Sequence, residues 1–176
     1  MNWDALLRID RRIIFILMAI VIIVPLIVPM NLPVGMQRTT EGVFNTIENM
    51  DPQRQALLIS TDYTPQTEAE NQPMTITLMR HAFARRVPVL LLSLYVEATG
   101  QVAQAVDEVV AEFNARATSH ADSIIYGRDV IFLGWVPPPI VPILAMGESI
   151  KGIYKTDFYG NATADLPLTQ RIENYS

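Results

Sequence analysis

Asp62 and Glu97 are the carboxylates of this chain whose positions suggest chemistry. Each stands beside a compact apolar run, QALLIST (55–61) for Asp62 and VPVLLLSLYV (87–96) for Glu97. In an open α/β sheet, ligands bind beyond the carboxyl ends of the strands. That edge would gather Ser60, Thr61 and Tyr63 with Asp62, Tyr95 and Thr99 with Glu97, and Gly134 and Trp135 from a third run. Two carboxylates converging there could act as a general acid–base pair or hold a hard cation. Asp62, Tyr63 and Glu97 are therefore the candidate ligand-binding residues. The plainer reading has Asp62 closing a turn and Glu97 solvated.

Other chemistry is thin. The two histidines, His81 and His120, fall in a helical segment and a polar loop, and there is no cysteine. Without cysteine there are no disulfides, thiolate metal sites or cysteine nucleophiles, and the histidines have no metal-ligand spacing. GxGxxG, Walker A and GxSxG patterns are absent, so the usual nucleotide-binding and hydrolase residues are missing. The formal net charge of −5 argues against nucleic acid, which needs clustered Lys and Arg. Asn161-Ala162-Thr163 and Asn174-Tyr175-Ser176 match glycosylation acceptors, triplets that are common by chance. The expectation is no cofactor, no metal and no catalytic residue.

The elements that would position these residues alternate along the chain. A short amphipathic segment, GVFNTIENM (42–50), ends at Asp51-Pro52. Gln55 to Thr61 has the unbroken apolarity of a strand buried on both faces. Thr67-Glu68-Ala69-Glu70 has the form of a capping box, and Pro73 suits the first turn of the helix that follows. Met74, Leu78, Met79, Ala82 and Phe83 recur at helical spacing, with Arg80, Arg85 and Arg86 near the helix C-terminus. Val87 to Val96 is a second strand. A third helix from Thr99 turns Val102, Val106, Val109, Val110 and Phe113 inward and Asp107, Glu108 and Glu112 outward. Asp129 to Trp135 is a third strand. Pro137-Pro138-Pro139 stiffens the link to an apolar segment, Ile140 to Ile153, helical from about Val141. Strands separated by helices imply right-handed crossovers and a parallel sheet. Three strands are few, against about five or six in a typical sheet, and two apolar edges would invite another chain.

Ahead of this domain runs Ile13 to Pro29, IIFILMAIVIIVPLIVP, without one charged residue. A helix apolar all round belongs in a membrane or a large core. Arg8, Arg11 and Arg12 precede it and Arg38 alone follows closely, which places the N-terminus in the cytoplasm. Trp3 would lie at headgroup depth. A cleaved signal peptide would carry an apolar run of about 7–15 residues and a small-x-small site; here the run is longer and the exit is VPMNLPVGM. Pro25 would remove a helical hydrogen bond, and Pro29 would end the helix.

Several phrases carry a resemblance: ALLISTDYTP (56–65), QPMTITLMRHAF (72–83), YGRDVIFLGW (126–135), AMGESIKGIYKTDFYG (145–160) and LPL (166–168). Their order and spacing, behind an arginine-flanked anchor, make the chain similar to the N-terminal half of a family of membrane-anchored, Rossmann-like α/β proteins of bacteria and archaea. The resemblance implies a fold and a membrane setting, and no activity. The family's third strand runs into a Lys-Pro-Gly-Gly type loop that could present backbone N–H groups to an anion. The proline run beginning at Pro137 offers neither those groups nor the lysine.

The resulting expectation is an α/β chain in five parts. They are a head (1–12), a transmembrane helix (13–30), a linker (31–40), a small Rossmann-like three-layer domain with a short, mainly parallel sheet (41–168), and a tail (169–176). The function expected is a non-catalytic accessory subunit of the inner membrane, single-pass, with its domain on the periplasmic side. Its partners are the lipid bilayer and another membrane protein or a second copy of itself, with Trp135, Pro137, Pro138 and Pro139 at the interface. The alternative is a small-ligand-binding or enzymatic domain.

Overall fold

The computed structural model describes residues 10–28, 35, 37–137 and 144–174. Trp3, Arg8, Pro29, Pro138 and Pro139 lie outside the described residues. The chain divides into two units between Arg38 and Thr39.

The first unit contains helix α1, Arg11–Ile27, 17 residues long. Asp10 caps it, its carboxylate accepting from Arg12 N at 2.9 Å. Arg11 and Arg12 form its first turn, and Pro25 lies inside it. No residue of α1 is buried: Phe15, Ile20 and Val21 are more than half exposed, as are most of their apolar neighbours. Among the described residues no helix is long and apolar enough to cross a membrane. The helix expected over 13–30 is thus seen only as far as Ile27.

The second unit is α/β. Its elements run α2 (Arg38–Asn49), β1 (Leu57–Ser60), α3 (Glu68–Ala84), β2 (Val89–Ser93), α4 (Thr99–Arg116), β3 (Val130–Trp135), α5 (Ile150–Ile153) and α6 (Pro167–Arg171). The sheet order is β1-β2-β3, all parallel. With the strands stepping one way, both right-handed crossovers put their helices on one face. There Met79, Ala82 and Phe83 of α3 and Val102, Ala105, Val106 and Val109 of α4 meet Ile59, Val89, Leu91, Val130 and Phe132. Alternation in the strands turns Leu90, Leu92, Ile131 and Leu133 to the other face. Met146, Ile150, Tyr154 and Leu168 of the C-terminal segment cover them.

Five expectations need correction. Of the segment expected to be helical from about Val141, the described residues from Leu144 do not form one helix to Ile153: Ser149 caps the short α5, its hydroxyl accepting from Gly152 N. Thr67 caps nothing, because its hydroxyl is engaged with the backbone N–H and carbonyl of Thr64. Pro73 sits past the first turn, since α3 begins at Glu68. β1 is only half-buried where β2 is buried throughout, because β1 lies at the edge. Thr169, past Leu168, belongs to the packed domain as well, being fully buried within α6.

The two edges differ. On β3 the outward groups of Val130 O and of Phe132 are taken: Gly127 N donates to Val130 O at 2.8 Å, Phe132 N to the Tyr126 hydroxyl at 3.2 Å, and Phe158 N to Phe132 O at 2.9 Å. On β1, Leu57 N bonds Pro88 O and Thr61 N bonds Leu92 O. In a parallel strand the intervening residues then point outward, so Ala56, Leu58 and Ser60 face away from β2. No hydrogen bond of their backbone N–H or C=O groups is seen among the described residues. The expectation of two bare edges therefore holds for one only.

Candidate functional site

The carboxyl ends of the strands form a rim. Asp62 leaves β1 toward β2, and its Oδ1 accepts from Leu94 N at 2.7 Å while Oδ2 accepts from Ser60 Oγ at 2.5 Å. Oδ1 thus ties the end of β1 to the chain leaving β2, while Oδ2 closes a local turn on Ser60 of β1 itself, which is turn chemistry. Ser93 and Thr61 reinforce the tie: Thr61 Oγ1 donates to Leu92 O, and Ser93 Oγ lies within hydrogen-bond reach of the carbonyls of Thr61 and Tyr95. Glu97 is exposed and makes no hydrogen bond or ion pair with Asp62. Tyr63 turns the other way, into the helix-side core, 3% exposed. The three candidate residues therefore share a rim but do not converge.

What does gather there is aromatic. β3 carries one extra residue against β2: Leu91 pairs with Phe132, yet Ser93 pairs with Trp135. Gly134 takes up the bulge with φ +80, a conformation that glycine adopts without a Cβ penalty. The bulge re-aims Trp135, whose Nε1 donates to Leu94 O at 3.2 Å. Phe158 stacks on Phe132 at 4.9 Å, and Tyr159 meets Tyr126 and Phe158 edge-on. Tyr95, Val96, Trp135, Phe158 and Tyr159 are all substantially exposed. Pro137, expected at an interface, is exposed beside them. A cleft of about 410 Å³ lies past β3, lined among others by Gly134, Trp135, Lys155 and Phe158.

Beneath the rim lie two buried tyrosines, Tyr63 and Tyr154, whose hydroxyls have no hydrogen-bond partner among the described residues. Burial pushes each phenol up to about 12, helped by the charge of Glu68 at Tyr63 and of Asp62 at Tyr154. The expected result is alkaline destabilisation. Between pH 10 and 12 the folded chain keeps both phenolic protons while the unfolded chain has lost them. Stability is then undiminished below pH 10 and falls by up to about 1.4 kcal/mol per pH unit for each phenol above it. Urea midpoints taken from pH 8 to 11.5 check this. A Tyr63→Phe, Tyr154→Phe double variant should flatten much of the slope, and an unchanged slope would contradict the assignment.

Asp157 is the polar residue that sequence reading missed. It is 5% exposed and accepts from Tyr126 OH at 2.9 Å, from Asn161 N at 2.7 Å and from Asn161 Nδ2 at 2.9 Å. Burial, opposed by the Phe132 amide and helped by Asp157, pushes the Tyr126 phenol far up. Asp157 is fully engaged in holding the turn that presents Phe158 to β3. His81 is structural as well: its Nε2 lies 2.9 Å from Glu48 and Phe44 stacks on its ring, fastening α2 to α3. Among the described residues no three His, Cys, Asp or Glu side chains group as metal ligands.

Comparison of the chain with protein-family models, curated proteins and solved structures finds no match.

Proposed function

We propose that this chain is a non-catalytic, single-pass membrane-anchored subunit whose α/β domain docks onto a larger membrane protein complex. The observation that carries the reading is α1, apolar on every side from Ile13 and exposed along its length. Such a helix has no polar face to give to water. Its 17 residues cover about 25 Å at 1.5 Å per residue, against about 30 Å of hydrocarbon. The apolar sequence continues beyond it through Val28, Met30 and Leu32. The arginines at 8, 11 and 12 orient the N-terminus to the cytoplasm, which puts the domain in a periplasm-like space. The exposed aromatic rim is the kind of surface that partners cover. We read the domain as a Rossmann-like layer, in keeping with the sequence resemblance to membrane-anchored α/β proteins.

The test is fractionation followed by purification. The full chain should stay in the membrane pellet through an alkaline carbonate wash. Val21→Arg, which places a charge costing about 2.5–3.5 kcal/mol at the centre of the span, should move much of it out. Mild-detergent purification should bring down a second membrane protein, or a second copy, in fixed ratio. Release of the wild-type chain by carbonate would sink the anchor. A purified chain with no companion of either kind would sink the subunit reading.

A further inference from the structure

We infer that the chain forms a two-fold dimer by antiparallel pairing of β1 with β1 of a second copy, giving one six-stranded sheet. This deepens the preceding reading by naming a first partner, and it rests on that reading only in taking the chain to work in an assembly. The sheet has one open edge and one closed one. At β3, the Gly127 amide, the Tyr126 hydroxyl and the Phe158 amide occupy the Val130 carbonyl and both outward groups of Phe132 in the middle of the strand. At β1 the outward positions are Ala56, Leu58 and Ser60, and they carry a row with no backbone partner among the described residues. A row of free N–H and C=O groups is a template for another strand.

The occupant follows from symmetry and charge. A two-fold contact uses the same patch on both partners, and a chain with a single open edge can satisfy it once and no more. Pairing must bring outward residues opposite outward residues. Centred on Leu58, that register sets Leu58 against Leu58 and Ala56 against Ser60 of the other copy. Continued outward, it brings Asp62 of each copy to the turn that carries Arg54 of the other. Arg54 is exposed, and its guanidinium has no ion pair or hydrogen bond among the described residues. Asp62, exposed at the far end of the same strand, carries the opposite charge; its oxygens are bonded to Leu94 N and Ser60 Oγ of its own copy, so it acts on Arg54 as a nearby charge and not as a direct hydrogen-bond acceptor. The sheet so formed runs β3-β2-β1-β1-β2-β3 with a capped edge at each end, and six strands is a usual width for a sheet.

The experiment uses the full chain in detergent micelles, with light scattering corrected for bound detergent. The expected protein mass is twice 19.7 kDa, falling toward one copy on dilution. Amides of Leu58 and Ser60 should gain hydrogen-exchange protection as concentration rises. Ser60→Pro removes an outward N–H and no intrachain ladder bond, and Arg54→Glu sets like charges across the contact. Each should weaken dimerisation about tenfold or more, since the two-fold loses two charge pairs or two interchain hydrogen bonds at once. Glu97→Gln should leave it unchanged. If Ser60→Pro fails to fold, Arg54→Glu outside the strand still decides. A monomer at every concentration overturns the dimer. So does a dimer that both variants leave intact, or protection of Leu58 and Ser60 without a second copy. Carbonate extraction reads the anchor separately, so either proposal can fail alone.

Discussion

Asp157→Ala should lower the unfolding free energy of the α/β domain by about 3–4 kcal/mol, a large fraction of what a domain of this size usually holds. The carboxylate is almost wholly buried and takes three donors, from the Tyr126 hydroxyl and from the amide and side chain of Asn161. Removing it takes the acceptor from the Tyr126 hydroxyl, on a partly buried residue, and the tether from exposed Asn161, and a polar group left unpaired away from water costs more than a hydrogen bond contributes. The damage reaches the sheet, because Tyr126 and Phe158 are the groups that close the β3 edge. Urea denaturation gives the midpoint shift at constant slope. Asp157→Asn, which keeps one oxygen but turns an amide toward the donors, should lose less. A shift for the alanine variant worth under 1 kcal/mol would show that the turn does not need its carboxylate.

Phe132→Ala should cost about 4 kcal/mol, within the 3–5 typical of a truncated core phenylalanine. Phe132 is fully buried in the helix-side core and lies against the Phe158 ring at 4.9 Å. Its backbone is also the point where the β3 edge is satisfied, so the two effects couple. Combining Phe132→Ala with Asp157→Ala should therefore cost measurably less than the sum of the single changes, since both loosen Phe158. Strict additivity would mean that the ring and the turn act independently. A loss below 2 kcal/mol for Phe132→Ala alone would mean that the site collapses around the smaller side chain.

The strands and crossover helices were legible because their signals are local. LLIS, VLLLS and VIFLGW are dense in β-branched and leucine side chains, and the spacing of Val102, Val106 and Val109 marks the inner face of α4. The layer on the second face was not legible. α5 has four residues and α6 five, too short for any period to show. What fixes that layer is a set of contacts between distant residues, such as the buried hydroxyls of Thr163 and Thr169 bonded to the carbonyls of Tyr154 and Thr163.

The rim was legible as a place but not as a geometry. Sequence position put Asp62, Tyr63 and Glu97 near the strand ends, and nothing in it could say that Asp62 would spend both oxygens on Leu94 and Ser60. Tyr126 and Asp157 meet across 31 positions, a pairing with no local trace. Trp135 was singled out from sequence; its aim depends on the Gly134 bulge, which only the register reveals.

The covering of Leu90, Leu92, Ile131 and Leu133 by Met146, Ile150, Tyr154 and Leu168 also sets the order of events at the ribosome. The residues that line that face are made well before the residues that cover it. Translation adds about 5–20 residues per second, so a nascent chain holds a bare, leucine-rich sheet surface for seconds until Leu168 has cleared the exit tunnel. Surface of that kind, exposed in transit, is prone to aggregate. A translational pause or premature stop between Trp135 and Leu168 would leave that surface with nothing to cover it.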